Sequence, residues 1–148
     1  MKIKVVKKLM LAGISEVTNN ENESNEETAK IAQLWEDYFD KNIHSKTFDK
    51  SDSGYMYGVY SDYTSDVNGD YKVTIGVEVK KPKKAIVIED QRYLVFSKKG
   101  ELPDVVIEAW EEIWDYFAGE PEYERAYNID FEKYVSEDEI EIYISIKR

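Results

Sequence analysis

The sequence predicts an α+β fold: two consecutive strand–helix–strand–strand units that form one antiparallel sheet with two helices on one face. Two observations lead there. Ile31, Leu34, Trp35 and Tyr38 carry the i, i+3, i+4, i+7 spacing of an amphipathic helix, and Trp110, Ile113, Trp114 and Phe117 repeat it at a constant offset. Each of these stretches leads into tyrosine-rich segments that alternate with a period of two, the pattern of half-buried strands. Two helices with one apolar face each need a shared sheet, and the seam between two such units is where a small molecule can be enclosed.

The elements follow in order. Met1 to Ile14 places basic residues before an apolar run, but Leu9 to Ile14 is shorter than the roughly 7–15 residues of a signal-peptide core, and no stretch nears the ~18 needed to span a bilayer. It reads as a first strand of a cytoplasmic protein. Asn19 to Asn25 is a polar loop, and Ser24 or Asn25 before Glu26 and Glu27 predicts a capped helix running to about Asn42. Gly54 to Tyr63 reads as an aromatic strand. Asn68-Gly69 signals a hairpin into Tyr71, Val73, Ile75, Val77 and Val79, which alternate with polar or small residues. Lys80 to Lys84, broken by Pro82, is an exposed turn between units. Arg92 to Ser97 opens the second unit, a helix runs from Pro103-Asp104 to Gly119, and two strands at about 125–134 and 138–147 close it. The 148 residues read as one domain, with repeat one at about 1–80 and repeat two at about 85–148.

Composition narrows the chemistry. There is no cysteine and one histidine, His44, which argues against thiol catalysis, a histidine-based triad or a zinc cluster, so no metal or cofactor is expected. The net charge of −11 opposes direct binding to nucleic acid and favours cationic partners.

The last strand places Ile140, Ile142, Ile144 and Ile146 on one face, towards the helices, and Glu139, Glu141, Tyr143, Ser145 and Lys147 on the other. In the preceding strand Tyr127, Ile129 and Phe131 form the expected helix-facing set, leaving Asn128, Asp130, Glu132 and Tyr134 opposite. Glu132 and Glu141 would then be anions among aromatic rings, a pairing that recognises organic cations by charge and cation–π attraction. Glu132, flanked by Phe131 and Tyr134, ranks as the principal acid. Glu141, with Glu139 on its own face, ranks second. Tyr57, Tyr60 and Tyr143 are candidate walls, and Trp110 either core or pocket. The same residues also suit an ordinary solvated sheet face.

The phrases Tyr57-Gly58-Val59-Tyr60-Ser61-Asp62-Tyr63, Val106-Ile107-Glu108-Ala109-Trp110-Glu111-Glu112-Ile113-Trp114, Asp130-Phe131-Glu132-Lys133-Tyr134 and Glu141-Ile142-Tyr143-Ile144-Ser145-Ile146 resemble those of the GyrI-like superfamily. That superfamily includes the effector-binding domains of AraC-type regulators and integron-cassette effector-binding proteins. The resemblance implies tandem repeats with a central cleft that takes lipophilic cationic or aromatic molecules, with the acids at Glu132 and Glu141 lining it. Ser145 stands where the family often has proline. No residues remain for a helix-turn-helix domain, so the resemblance implies a stand-alone binder, with no direct contact to nucleic acid and none to membrane. It also implies two alternatives: a hydrolase of strained cyclopropane-bearing genotoxins using Glu132, or a ligand sensor acting on a separate regulator or gyrase.

Overall fold

The structure, a computed structural model, describes residues 1–47, 49–52, 54–66 and 68–147. Six strands, β1 (Lys2–Thr18), β2 (Met56–Ser61), β3 (Tyr71–Glu78), β4 (Ile86–Lys99), β5 (Asp130–Ser136) and β6 (Glu139–Ser145), accompany helices α1 (Asn20–Glu23), α2 (Ile31–Asp40), α3 (Ile43–Lys46) and α4 (Asp104–Ala118). The α+β class and the antiparallel pairing are as the sequence predicts. The sheet, however, is not open: in the order β1-β3-β2-β5-β6-β4 it closes into a barrel. The long strands make this possible. The first half of β1 pairs with β4 and its second half with β3, while β4 passes from β1 to β6. The ring is completed where Met56 to Tyr60 of β2 pair with Tyr134 to Asp130 of β5. Asn68-Gly69 does lie between paired β2 and β3, but in a wider loop than a two-residue hairpin, because pairing begins only at Ser61 and Lys72.

The first helix differs from its expected start. Asn19 caps α1 instead, its side chain accepting from the Asn22 N–H at 2.7 Å. The orphan N–H groups that open α2 are satisfied from a distance: the Glu23 carboxylate accepts from Lys30 N at 2.9 Å and Ile31 N at 3.2 Å, and from the Thr18 hydroxyl at 2.6 Å. Ser24 and Asn25 therefore do not cap α2. Helix α4 keeps its expected limits, with Gly119 just past its end.

Two apolar layers hold the barrel and its helices together. Leu11, Val59, Tyr93, Val95, Phe131 and Tyr143 cluster on the face turned away from the helices. On the other face α4 covers Leu94, Phe96 and the Ile140 to Ile146 stripe, and α2 covers Tyr71, Val73 and Ile75. The isoleucine stripe of β6 thus points where the sequence puts it. Strand β5 is turned the opposite way. Phe131 pairs with Tyr143 and stacks on it with ring centroids 4.4 Å apart, so it faces away from the helices, whereas Glu132 pairs with Ile142 and faces them. Ile129 packs into the same layer as Phe131, so the period of two holds and only its direction is reversed, a direction set by register with β2 and β6; Tyr127 precedes β5 and lies outside its ladder.

Candidate functional site

A cavity of about 420 Å³ lies against this helix-facing side of β5, walled by residues of α2, α4, β2, β3 and β5. The amphipathic stripes bring Trp35 from α2 and Trp110 and Trp114 from α4; alternation along the strands brings Tyr60, Tyr71, Glu132 and Tyr134. The rings pack edge to face, Tyr60 with Trp110 at 5.3 Å and Trp35 with Tyr134 at 5.1 Å between centroids. At the rim, Ile107 and Trp114 are 56% and 45% exposed, apolar surface left without cover.

Glu132 is the chemical centre of this cavity. It is 3% exposed and accepts three hydrogen bonds: Trp110 Nε1 at 2.7 Å and Tyr60 OH at 2.8 Å on Oε2, and Tyr134 OH at 2.8 Å on Oε1. Burial raises its pKa above the ordinary 4.5, and the three donors hold that rise in check by stabilising the anion. The tyrosines pay the counterpart: burial, then the Glu132 charge, pushes Tyr60 and Tyr134 well above their usual value, so both stay donors. No ion pair reaches Glu132 among the described residues. Its space is kept open by Gly58, directly opposite in the ladder, where a Cβ would stand 2.7 Å from Oε1.

Two residues earlier on the same strand face, Asp130 is handled differently. Its Oδ1 accepts from the Ser145 amide and hydroxyl, both at 2.7 Å, and its Oδ2 from Tyr63 OH at 2.6 Å and Arg125 Nη2 at 2.8 Å. Asp130 is therefore neutralised and saturated, and Glu132 is not. Ser145, standing where the resembling family often has proline, supplies two of those donors, one of them an amide that proline lacks.

Of the sequence-predicted residues, Glu132, Tyr60 and Trp110 line the cavity. Glu141, Tyr143 and Tyr57 do not. Tyr57 and Tyr143 belong to the apolar layer on the opposite face, where the Tyr143 hydroxyl donates to Glu141 Oε1 at 3.4 Å and lies 3.4 Å from Lys4 Nζ. The two acids therefore sit on opposite sides of the sheet. The sequence names Tyr134 only as the neighbour of Glu132 on its face, and Trp35 and Arg125 are not among its site candidates. Trp35 was legible as the counterpart of Trp114 on the helical stripe; Arg125 offered only the signal of an arginine in a chain where lysine dominates the cations.

Among the described residues no helix is long and apolar enough to cross a membrane, and no cluster of side chains could hold a metal ion. No curated protein matches the sequence. The fold is that of an integron cassette protein from Vibrio cholerae, VCH_CASS2, at 34% identity and a TM-score of 0.86 over 99% of this chain and 95% of that one. SAV2435, solved with tetraphenylphosphonium bound, is similar at 21% identity and a TM-score of 0.74 over 99% and 93% of the two chains. A putative transcription regulation protein from Staphylococcus aureus MU50 is similar at 22% identity and 0.75 over 99% and 97%. Residues 2–146 match the Cass2 family profile, so the chain belongs to the integron-associated effector binding proteins.

Proposed function

We propose that this effector binding protein captures lipophilic organic cations in the cavity, with Glu132 as counter-ion and Trp35, Tyr60, Trp110 and Tyr134 as the aromatic enclosure. The observation that carries the reading is the uncompensated carboxylate. A buried anion with hydrogen bonds but no cation is costly, and the cost falls when a ligand brings the missing charge. Ring faces around it favour cations with spread charge. That SAV2435, of the same fold, was solved with a lipophilic phosphonium supports the same class of ligand.

The chain also reads as a duplication, repeat one at about 1–80 and repeat two at about 85–148. In each half the first strand pairs with the third and the third with the second, and α2 packs on β1 and β3 as α4 packs on β4 and β6. The cavity draws on both halves, so it sits at their seam.

Titration of the protein with rhodamine 6G, followed by fluorescence anisotropy, tests the electrostatic claim. Glu132→Gln should weaken binding by about 2–5 kcal/mol, the cost of removing one partner of a buried charge pair, and leave a neutral aromatic of similar size unaffected. Equal affinity of both proteins for the cation would defeat the proposal.

A further inference from the structure

The cavity wall contains a second charged side chain, Arg125, which lies two ladder positions from Glu132 through its partner Asp130. We propose that Arg125 forms an acceptor-binding subsite, and that the preferred ligands are organic cations carrying a carboxylate or carbonyl group about 7 Å from the cationic centre, the rise of two strand residues. This rests on the reading of Glu132 as the cation's counter-ion.

A guanidinium has five N–H donors. Among the described residues Arg125 uses one, Nη2 to Asp130 Oδ2; its Nε is enclosed without a partner, and Nη1 is also unpartnered but not enclosed. The side chain is only 9% exposed and its Nε is closed to water and ligand alike, so Nη1 is the donor left for an acceptor in the cavity. Asp130 cannot take more, because its four acceptor sites are filled by Ser145, Tyr63 and Arg125 itself.

The group is also held rigidly. Its guanidinium carbon lies 4.3 Å from the Tyr127 ring centroid, and Tyr127 adopts φ 52°, a conformation rare for a bulky residue. Tyr127 packs edge to face on Tyr63, which donates to Asp130. A donor fixed in this way has little freedom left to lose when an acceptor arrives.

The two subsites differ in what they ask of a ligand. Glu132 rewards positive charge; Arg125 rewards a lone pair. A ligand with both groups at the strand spacing satisfies both, and a pure lipophilic cation leaves the arginine donor unused.

Two probes of matched shape separate the cases: pentyltriphenylphosphonium, which has no acceptor, and (4-carboxybutyl)triphenylphosphonium. Calorimetric titration of the wild-type protein should give at least about tenfold tighter binding of the acid, in keeping with a charge-assisted hydrogen bond. Arg125→Lys keeps a cation beside Asp130 but loses the fork; it should erase that preference, so that the variant binds the two probes equally. A spacer series on the wild-type protein needs no variant, and affinity should peak at the four-carbon acid and fall for the one-carbon acid. Equal binding of the two probes to wild type, a preference that survives in Arg125→Lys, or no dependence on spacer overturns the subsite. Failure of the pentyl probe to bind, or indifference to Glu132→Gln, instead overturns the cation reading on which it rests.

Discussion

At the scale of single residues, Glu132 couples ligand binding to protons. Its pKa is raised above 4.5 in the folded protein by burial, so the folded state holds the proton more tightly than the unfolded chain. The stability this contributes is complete below about pH 4.5 and is lost as pH rises through the folded value. A cation favours the ionised form, so binding within that window should release protons. Calorimetry in buffers of different ionisation enthalpy reads this directly, and Glu132→Gln should abolish the buffer dependence. Gly58 offers a purely steric counterpart. A methyl group there would collide with Oε1, so Gly58→Ala should cost about 1–3 kcal/mol of stability and displace the carboxylate, weakening cation capture; a thermal melt with a parallel dye titration checks both. Glu132 itself was legible in the sequence as an acid set among aromatics. Its true enclosure was not, because which face β5 turns to the helices depends on register with β2 and β6 rather than on its own alternation.

At the scale of elements, the two helices show what local sequence can and cannot specify. Helix α4 starts beside Pro103 and stops before Gly119, so its limits are written in adjacent residues. Helix α2 begins at Ile31 because of Glu23, a residue in the preceding helix, and no nearest-neighbour rule reveals a cap supplied from there. Ile31 and Trp35 line the cavity, which makes this cap part of the site's support. Glu23→Ala should destabilise the protein by about 0.5–2 kcal/mol and speed amide exchange in the first turn of α2, with a smaller loss of ligand affinity than Glu132→Gln. Hydrogen exchange resolved along α2 distinguishes this from global loosening, which would speed exchange in α4 as well.

At the scale of the whole molecule, the repeated helical stripes made two helices on one sheet legible, whereas closure of the barrel was hidden. Closure depends on Met56 to Tyr60 meeting Asp130 to Tyr134, strands remote in sequence whose pairing leaves no periodic trace. Net charge acts at the same scale. The −11 formal charge surrounds a cavity whose rim includes the carboxylates of Glu23 and Asp66, a field that draws cations inward before any contact forms. Salt screens that approach, with a Debye length of about 10 Å at 0.1 M, but reaches a buried ion pair far less. For a rhodamine cation the association rate should therefore fall as ionic strength rises, while the dissociation rate, set by contacts with Glu132 and the rings, stays nearly constant. Stopped-flow fluorescence over a salt series separates the two rates. A dissociation rate that climbs with salt as steeply as association falls would mean that the bound cation sits at the exposed rim, and the enclosed Glu132 would lose its place as counter-ion.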